Sequence, residues 1–86
     1  MDAILNNLIK VTIADATLSI RLRNKSEAIG KVGFLFGLLS ALPHNDPRVV
    51  SLCYNGVKSM RDMATVRTAF NLVTHELNKV VAQAAR

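Results

Sequence analysis

The chain has 86 residues, of which 50% are hydrophobic, and its eleven Lys and Arg against six Asp and Glu give a net charge of +5. Residues 1–86 are therefore expected to form a single domain, and the lone Cys53 excludes an internal disulfide and favours a reducing, cytoplasmic location. No basic head followed by an apolar run marks a secretory signal, and the longest uncharged apolar run, 32–43, is too short to cross a bilayer. We expect no transmembrane segment.

Residues 2–23 are predicted to form the first helix. Apolar residues recur there at steps of three and four, at Leu5, Ile9, Ile13, Ala16 and Ile20. A second, adjacent stripe consists of Leu8, Val11, Leu18 and Leu22. The alternative is a β-hairpin over residues 9–23, because part of this stretch alternates apolar and polar residues. No glycine or proline supplies its turn.

The second predicted helix is the element around which the chain is organised. Asn24 can cap its start, with Glu27 three residues on and Lys31 placed to pair with Glu27. Pro43 ends it. Its small residues form one narrow stripe, made of Ser26, Gly30, Gly33, Gly37 and Ala41. Three helical glycines cost about 1 kcal/mol each relative to alanine, so we expect another backbone against the stripe and a helix buried on most sides.

A short segment with two prolines, residues 43–47, separates the second predicted helix from the third. Asp46 as the cap and Pro47 at the first helical position are a strong helix start. The third helix is expected to bury Val50, Cys53, Val57 and Met60, and the fourth to bury Val66, Phe70, Val73, Leu77, Val80 and Ala84. These stripes are out of phase, which predicts a break within 61–65, capped by Asp62 or Thr65.

The fold predicted from these elements is all-α, a small antiparallel bundle of about four helices with the glycine-bearing second helix at its centre. The excess of apolar residues in so short a chain favours a homodimer. The residues expected at the helix-packing or dimer interface are Gly30, Gly33, Phe34, Gly37, Leu38 and Ala41.

Catalytic and metal chemistry finds no support in the sequence. His44, Cys53 and His75 match no metal-binding spacing, and no motif places Cys53 beside His75 as a nucleophile pair. The glycines of the second helix lack the lysine that follows in a phosphate-binding loop. We therefore expect no enzyme, no cofactor, no metal and no small-molecule substrate.

The charge distribution is more informative. In an up-down-up-down bundle, the first and third connections share one end, and the cations expected there are Arg21, Arg23, Lys25, Lys31, Lys58, Arg61 and Arg67. Only Glu27 and Asp62 oppose them, so this end would hold the whole net charge of +5. Favourable interaction of cations with helix C-termini accounts for most of the set, but not for Lys31 and Arg67, which lie near helix starts.

Two functional hypotheses follow. In the first, a dimeric regulatory protein uses the basic end on an anionic partner, with nucleic acid the first candidate and an acidic protein surface the alternative. Its contacts would be to the backbone, because the four aromatic residues, Phe34, Phe36, Tyr54 and Phe70, are expected in the core and offer no stacking platform. In the second, the chain is an adaptor or inhibitor of the immunity-protein or phage-regulator type. It would bind protein through an exposed apolar face of the second or fourth helix.

Overall fold

The computed structural model describes residues 3–43 and 46–84. Over those ranges the chain forms four α-helices and no strand: α1 (Ala3–Arg21), α2 (Lys25–Ala41), α3 (Pro47–Lys58) and α4 (Met63–Ala84). The predicted all-α bundle of four helices is confirmed, and residues 9–21 lie in a helix and not in a hairpin. His44 and Asn45 in the connection between α2 and α3 lie outside the described residues.

One cluster of core residues fixes the topology. It contains Ile20, Ala28, Val32, Val66 and Ala69, with Val57, Met60 and Met63 packed against it. These residues come from the end of α1, the start of α2, the end of α3 and the start of α4. The α1–α2 and α3–α4 connections therefore lie at the same end of the molecule, as an up-down-up-down bundle requires.

A second cluster fills the remainder of the core, formed by Ile9, Ala16, Leu35, Leu39, Leu42, Cys53, Val73 and Leu77. The apolar stripes predicted for α1 and α4 contribute residues to both clusters. Val66, Val73 and Leu77 are fully buried on α4, as are Ile9 and Ala16 on α1. The period of apolar residues thus identified the inward faces of these two helices.

The turn from α1 to α2 is a Schellman motif with an arginine where glycine is usual. Arg23 has a positive φ of 56°. Its amide donates to the carbonyl of Ile20 (3.1 Å), and the amide of Asn24 donates to that of Ser19 (2.9 Å). The Asn24 side chain then caps α2 by accepting from the Glu27 amide at 3.3 Å, which confirms the predicted cap.

The predicted break between α3 and α4 is also present. Asp62 caps α4: its side-chain oxygen accepts from the amide of Thr65 at 2.9 Å. Thr65 completes a reciprocal arrangement, because its hydroxyl oxygen accepts from the amide of Asp62 at 3.0 Å. At the start of α3, Asp46 accepts from the amide of Arg48 at 2.9 Å, with Pro47 at the first helical position.

The expectation that α2 is buried on most sides is wrong. Its inward face is narrow, formed by Ala28, Val32, Leu35 and Leu39. Gly30 and Gly37, on the opposite side, are exposed, and Gly33 is half-buried. Because the small residues provide little apolar surface themselves, the other elements pack on the larger side chains of α2, and the small-residue stripe is left facing outward.

The second apolar stripe of α1 is exposed. We call Ile4, Leu8, Val11, Leu18 and Leu22 the α1 stripe; Leu22 is 70% exposed and Ile4 is 79% exposed. Because of this stripe, α1 is long and apolar enough to span a membrane by length and composition alone. The core helix of a bundle can pass the same test.

Candidate functional site

The predicted cations do converge on one end of the bundle. Arg21 is the last residue of α1, Arg23 lies in the α1–α2 turn, and Lys25 is the first residue of α2. Lys58 is the last residue of α3, Arg61 lies in the α3–α4 connection, and Arg67 lies in the second turn of α4. All of these are exposed, whereas Lys31 is half-buried. We call these seven residues the basic pole.

Both carboxylates of this end, Glu27 and Asp62, have hydrogen-bond or ion-pair partners. Glu27 forms an ion pair with Lys31 at 3.4 Å. Its Oε2 also accepts a hydrogen bond from the side-chain amide of Asn24 at 2.8 Å. The carboxylate of Asp62 is held by Thr65, accepting from the amide at 2.9 Å and from the hydroxyl at 2.8 Å.

These hydrogen bonds and the charge around them keep Asp62 ionised. The backbone and side-chain donors of Thr65 lower the pKa of Asp62 below its usual value, and the nearby charges of Arg61 and Lys25 lower it further. The influence of Lys25 on Asp62 also shows that the α1–α2 and α3–α4 connections are close in space.

The other cations lack such partners. Within 3–43 and 46–84, Lys31 is the only member of the basic pole with a carboxylate oxygen within 4.0 Å. Arg21 and Lys58 lie in the last turns of α1 and α3, where a cation is favourable. Arg67 has no favourable interaction with a helix dipole, because it lies near the positive, N-terminal end of α4.

A shallow groove between α1 and α4 brings two of these cations together. Its walls include Arg21 and Arg67, and it is further lined by Thr17, Ile20, Phe70 and Asn71. Ile20 belongs to the core, whereas Arg21, Arg67 and Asn71 are exposed. Sequence reasoning missed this groove. The available signal was that Thr17 and Arg21 on α1, and Arg67 and Asn71 on α4, are four residues apart and share a helix face.

The small-residue face of α2 has no partner within the described chain. A Cβ placed on Gly30, Gly33 or Gly37 would meet no atom of another described element within 4 Å. Phe34 and Ala41 on this side are exposed, and Leu38 is half-buried. Among the described residues, the expected packing of a backbone against the stripe is therefore absent.

The aromatic residues are less buried than the sequence led us to expect. Phe34 and Tyr54 are each 50% exposed, so the expectation that they lie in the core is wrong. The Tyr54 ring packs against that of Phe36 at a centroid distance of 5.9 Å. Phe36 and Phe70 are half-buried, and Phe70 lines the groove beside Arg21 and Arg67.

Of the residues considered for catalysis, Cys53 and His75 lie in the described part of the chain. Cys53 is 1% exposed. Burial, and then the negative charge of Glu76, raise the pKa of this thiol, which disfavours the nucleophilic thiolate. His75 is exposed. In the part of the chain that the structure describes, no three His, Cys, Asp or Glu side chains are grouped to hold a metal ion. His44 lies outside that part.

Comparison with known proteins adds no assignment. The chain matches no model of a known protein family, and searches of curated proteins and of solved structures find no significant similarity.

Proposed function

We propose that this chain is a non-enzymatic binding protein that uses its basic pole to contact the phosphate backbone of nucleic acid. The observation that carries the proposal is the accumulation of seven cations at one end, where one carboxylate pairs with Lys31 and the other caps α4. These residues account for the whole net charge of +5. Arg67 has no structural role in capping, which makes it the most informative member.

The proposed protein acts as a homodimer through the small-residue face of α2. Support comes from Gly30, Gly33 and Gly37, each of which has open space where a side chain would be. A glycine in a helix costs about 1 kcal/mol relative to alanine, and no contact within the described subunit offsets that cost. Close approach of a second α2 to the glycines would offset it.

Charge reversal tests the proposed function. The double variant Arg23→Glu and Arg67→Glu changes one cation in the α1–α2 turn and one on α4, and the matched control Lys10→Glu and Arg48→Glu changes two exposed cations outside the basic pole. We expect the first variant to bind oligonucleotides at least about tenfold more weakly than the control, because each phosphate contact contributes to affinity. Fluorescence anisotropy at low and moderate salt measures both affinities.

Equal binding by the two variants, or no binding by the wild type at physiological salt, contradicts the proposal. The folds of both variants should persist, because substitution of exposed charges changes stability by only about 0.5 kcal/mol. Thermal melting checks this point before the affinities are compared.

The second candidate function is protein binding as an adaptor or inhibitor, and the α1 stripe is the observation that favours it. The hypothesis from sequence placed the binding face on α2 or α4, whereas the large exposed apolar residues lie chiefly on α1. Binding of this kind would be insensitive to salt and would be lost when Leu18 and Leu22 are changed to serine. The double variant Arg23→Glu and Arg67→Glu would leave protein binding through the α1 stripe intact.

A further inference from the structure

The groove between α1 and α4 combines charged and apolar side chains. Two arginines line it from different helices, and the side chains between them include the apolar Ile20 and Phe70. Within the described residues neither arginine has a carboxylate within 4.0 Å. The charge of the groove is therefore available to a ligand.

The arginines define the charged part of such a ligand. A guanidinium group donates several hydrogen bonds in a planar fork that matches phosphate oxygens, and two of them favour a phosphate over a weaker acceptor. Asn71 and Thr17 add polar groups at the edges of the groove. The Thr17 hydroxyl donates to the carbonyl of Ile13 at 2.8 Å, which leaves its oxygen as an acceptor.

The apolar lining of the groove favours a single strand over a duplex as the ligand. In a duplex the faces of the bases are stacked inside, so phosphate contacts alone would leave the exposed part of the half-buried Phe70 ring uncovered. A single strand presents unstacked bases, and a base can contact an aromatic side chain while the neighbouring phosphate meets the arginines. The side-chain amide of Asn71 is then placed to hydrogen-bond with a base edge or the sugar.

We propose that the groove lined by Thr17, Ile20, Arg21, Arg67, Phe70 and Asn71 binds an unpaired nucleotide, so that the protein prefers single-stranded over duplex nucleic acid. This proposal rests on the proposed function and specifies the ligand of the basic pole. It differs from the expectation of pure backbone contact, because the apolar lining contributes to affinity.

The test uses a fluorescein-labelled single strand of about 12 nucleotides and its duplex, a length within the range that small single-strand sites occupy. We expect the wild type to bind the single strand about tenfold more tightly than the duplex. Arg21→Ala and Arg67→Ala should each weaken single-strand binding by about tenfold. Each should also flatten the dependence of log affinity on log salt by about 0.7.

Variants of Phe70 and Asn71 test the contribution of the groove lining to binding separately from that of the two arginines. Phe70→Leu keeps an apolar side chain but removes the ring, and we expect about fivefold weaker binding to the single strand and no change for the duplex. Asn71→Ala replaces an exposed residue, so it should leave the fold intact and reduce single-strand binding by about threefold. The matched control is Lys10→Ala, an exposed cation elsewhere on α1.

The outcomes distinguish this proposal from the proposed function. If duplex and single strand bind equally and both lining variants behave as the wild type does, the groove proposal is overturned while nucleic-acid binding stands. If neither oligonucleotide binds, both proposals are overturned. If heparin competes fully and the lining variants have no effect, the arginines act as a nonspecific anion site, which also overturns the groove proposal.

Discussion

Arg23 holds a backbone conformation that favours glycine. Its φ of 56° places it in the left-handed region, where a side chain costs roughly 1 kcal/mol or more. The turn needs this conformation because the amides of Arg23 and Asn24 must reach the carbonyls of Ile20 and Ser19. An arginine here adds a cation to the basic pole at a cost in stability.

Replacing this arginine with glycine should therefore separate stability from binding. We expect Arg23→Gly to raise the free energy of unfolding by about 0.5–1 kcal/mol and to weaken oligonucleotide binding. Urea denaturation and anisotropy measure the two effects. Arg23→Ala is the control, since it removes the charge but keeps a Cβ; a glycine variant no more stable than this alanine variant would contradict the strain.

The lowered pKa of Asp62 predicts that the stability of the fold depends on pH. Hydrogen bonds from Thr65 lower its pKa in the folded state, so the folded state favours the ionised carboxylate more than the unfolded state does. The resulting stability is present above the ordinary carboxyl pKa and is lost as the pH falls through the lowered folded value. The α4 cap is then weakened in acid.

Asp62→Asn tests this effect, because asparagine also caps helices but has no charge to lose. The melting temperature of the wild type should exceed that of the variant by a few degrees at about pH 5–6. The difference should narrow as the pH falls through the lowered pKa of the folded state. A difference that is constant across this range would show that protonation of Asp62 does not govern the cap.

At the scale of elements, apolar spacing predicted the inward faces of α1 and α4 but misplaced the exposed face of α2. On α1 the spacing produced two adjacent stripes, of which the bundle buries the one that contains Ile9, Ala16 and Ile20. Phe34 and Tyr54 looked like core residues because aromatic rings are usually buried. Their actual exposure depends on where α2 and α3 pack against neighbours, which local sequence does not specify.

The small-residue face of α2 yields a prediction about self-association. We expect the wild type to sediment as a dimer at tens of micromolar, roughly the range in which an obligate dimer persists, and Gly33→Leu to be monomeric. The Cβ of residue 33 meets open space in the subunit, so the fold should remain. The control Ala82→Leu adds the same side chain to an exposed position of α4 and should not change the mass.

Two outcomes contradict the proposed interface. A monomeric wild type removes the need for any partner at α2. A Gly33→Leu variant that remains dimeric moves the interface elsewhere, with the α1 stripe as the next surface to test.

At the scale of the whole molecule, the basic pole was predictable and the groove was not. Short connections imply antiparallel neighbours, so the sequence placed the ends of α1 and α3 beside the starts of α2 and α4. The groove depends instead on how α1 and α4, far apart in the chain, sit side by side. Arg21 and Arg67 are separated by two helices in sequence, and only their packing places them in one groove.

The most direct test of the central claim is an amide chemical-shift titration of the isotope-labelled chain with a single-stranded oligonucleotide. We predict that the largest shifts fall in the two connections of the basic pole, around Arg21 to Glu27 and Lys58 to Arg67, and around Phe70 and Asn71 in the groove. Amides near Arg48 and Lys79 should change little. Shifts centred on the α1 stripe, shifts spread evenly over the chain, or no shifts at all would contradict the claim that the basic pole binds nucleic acid.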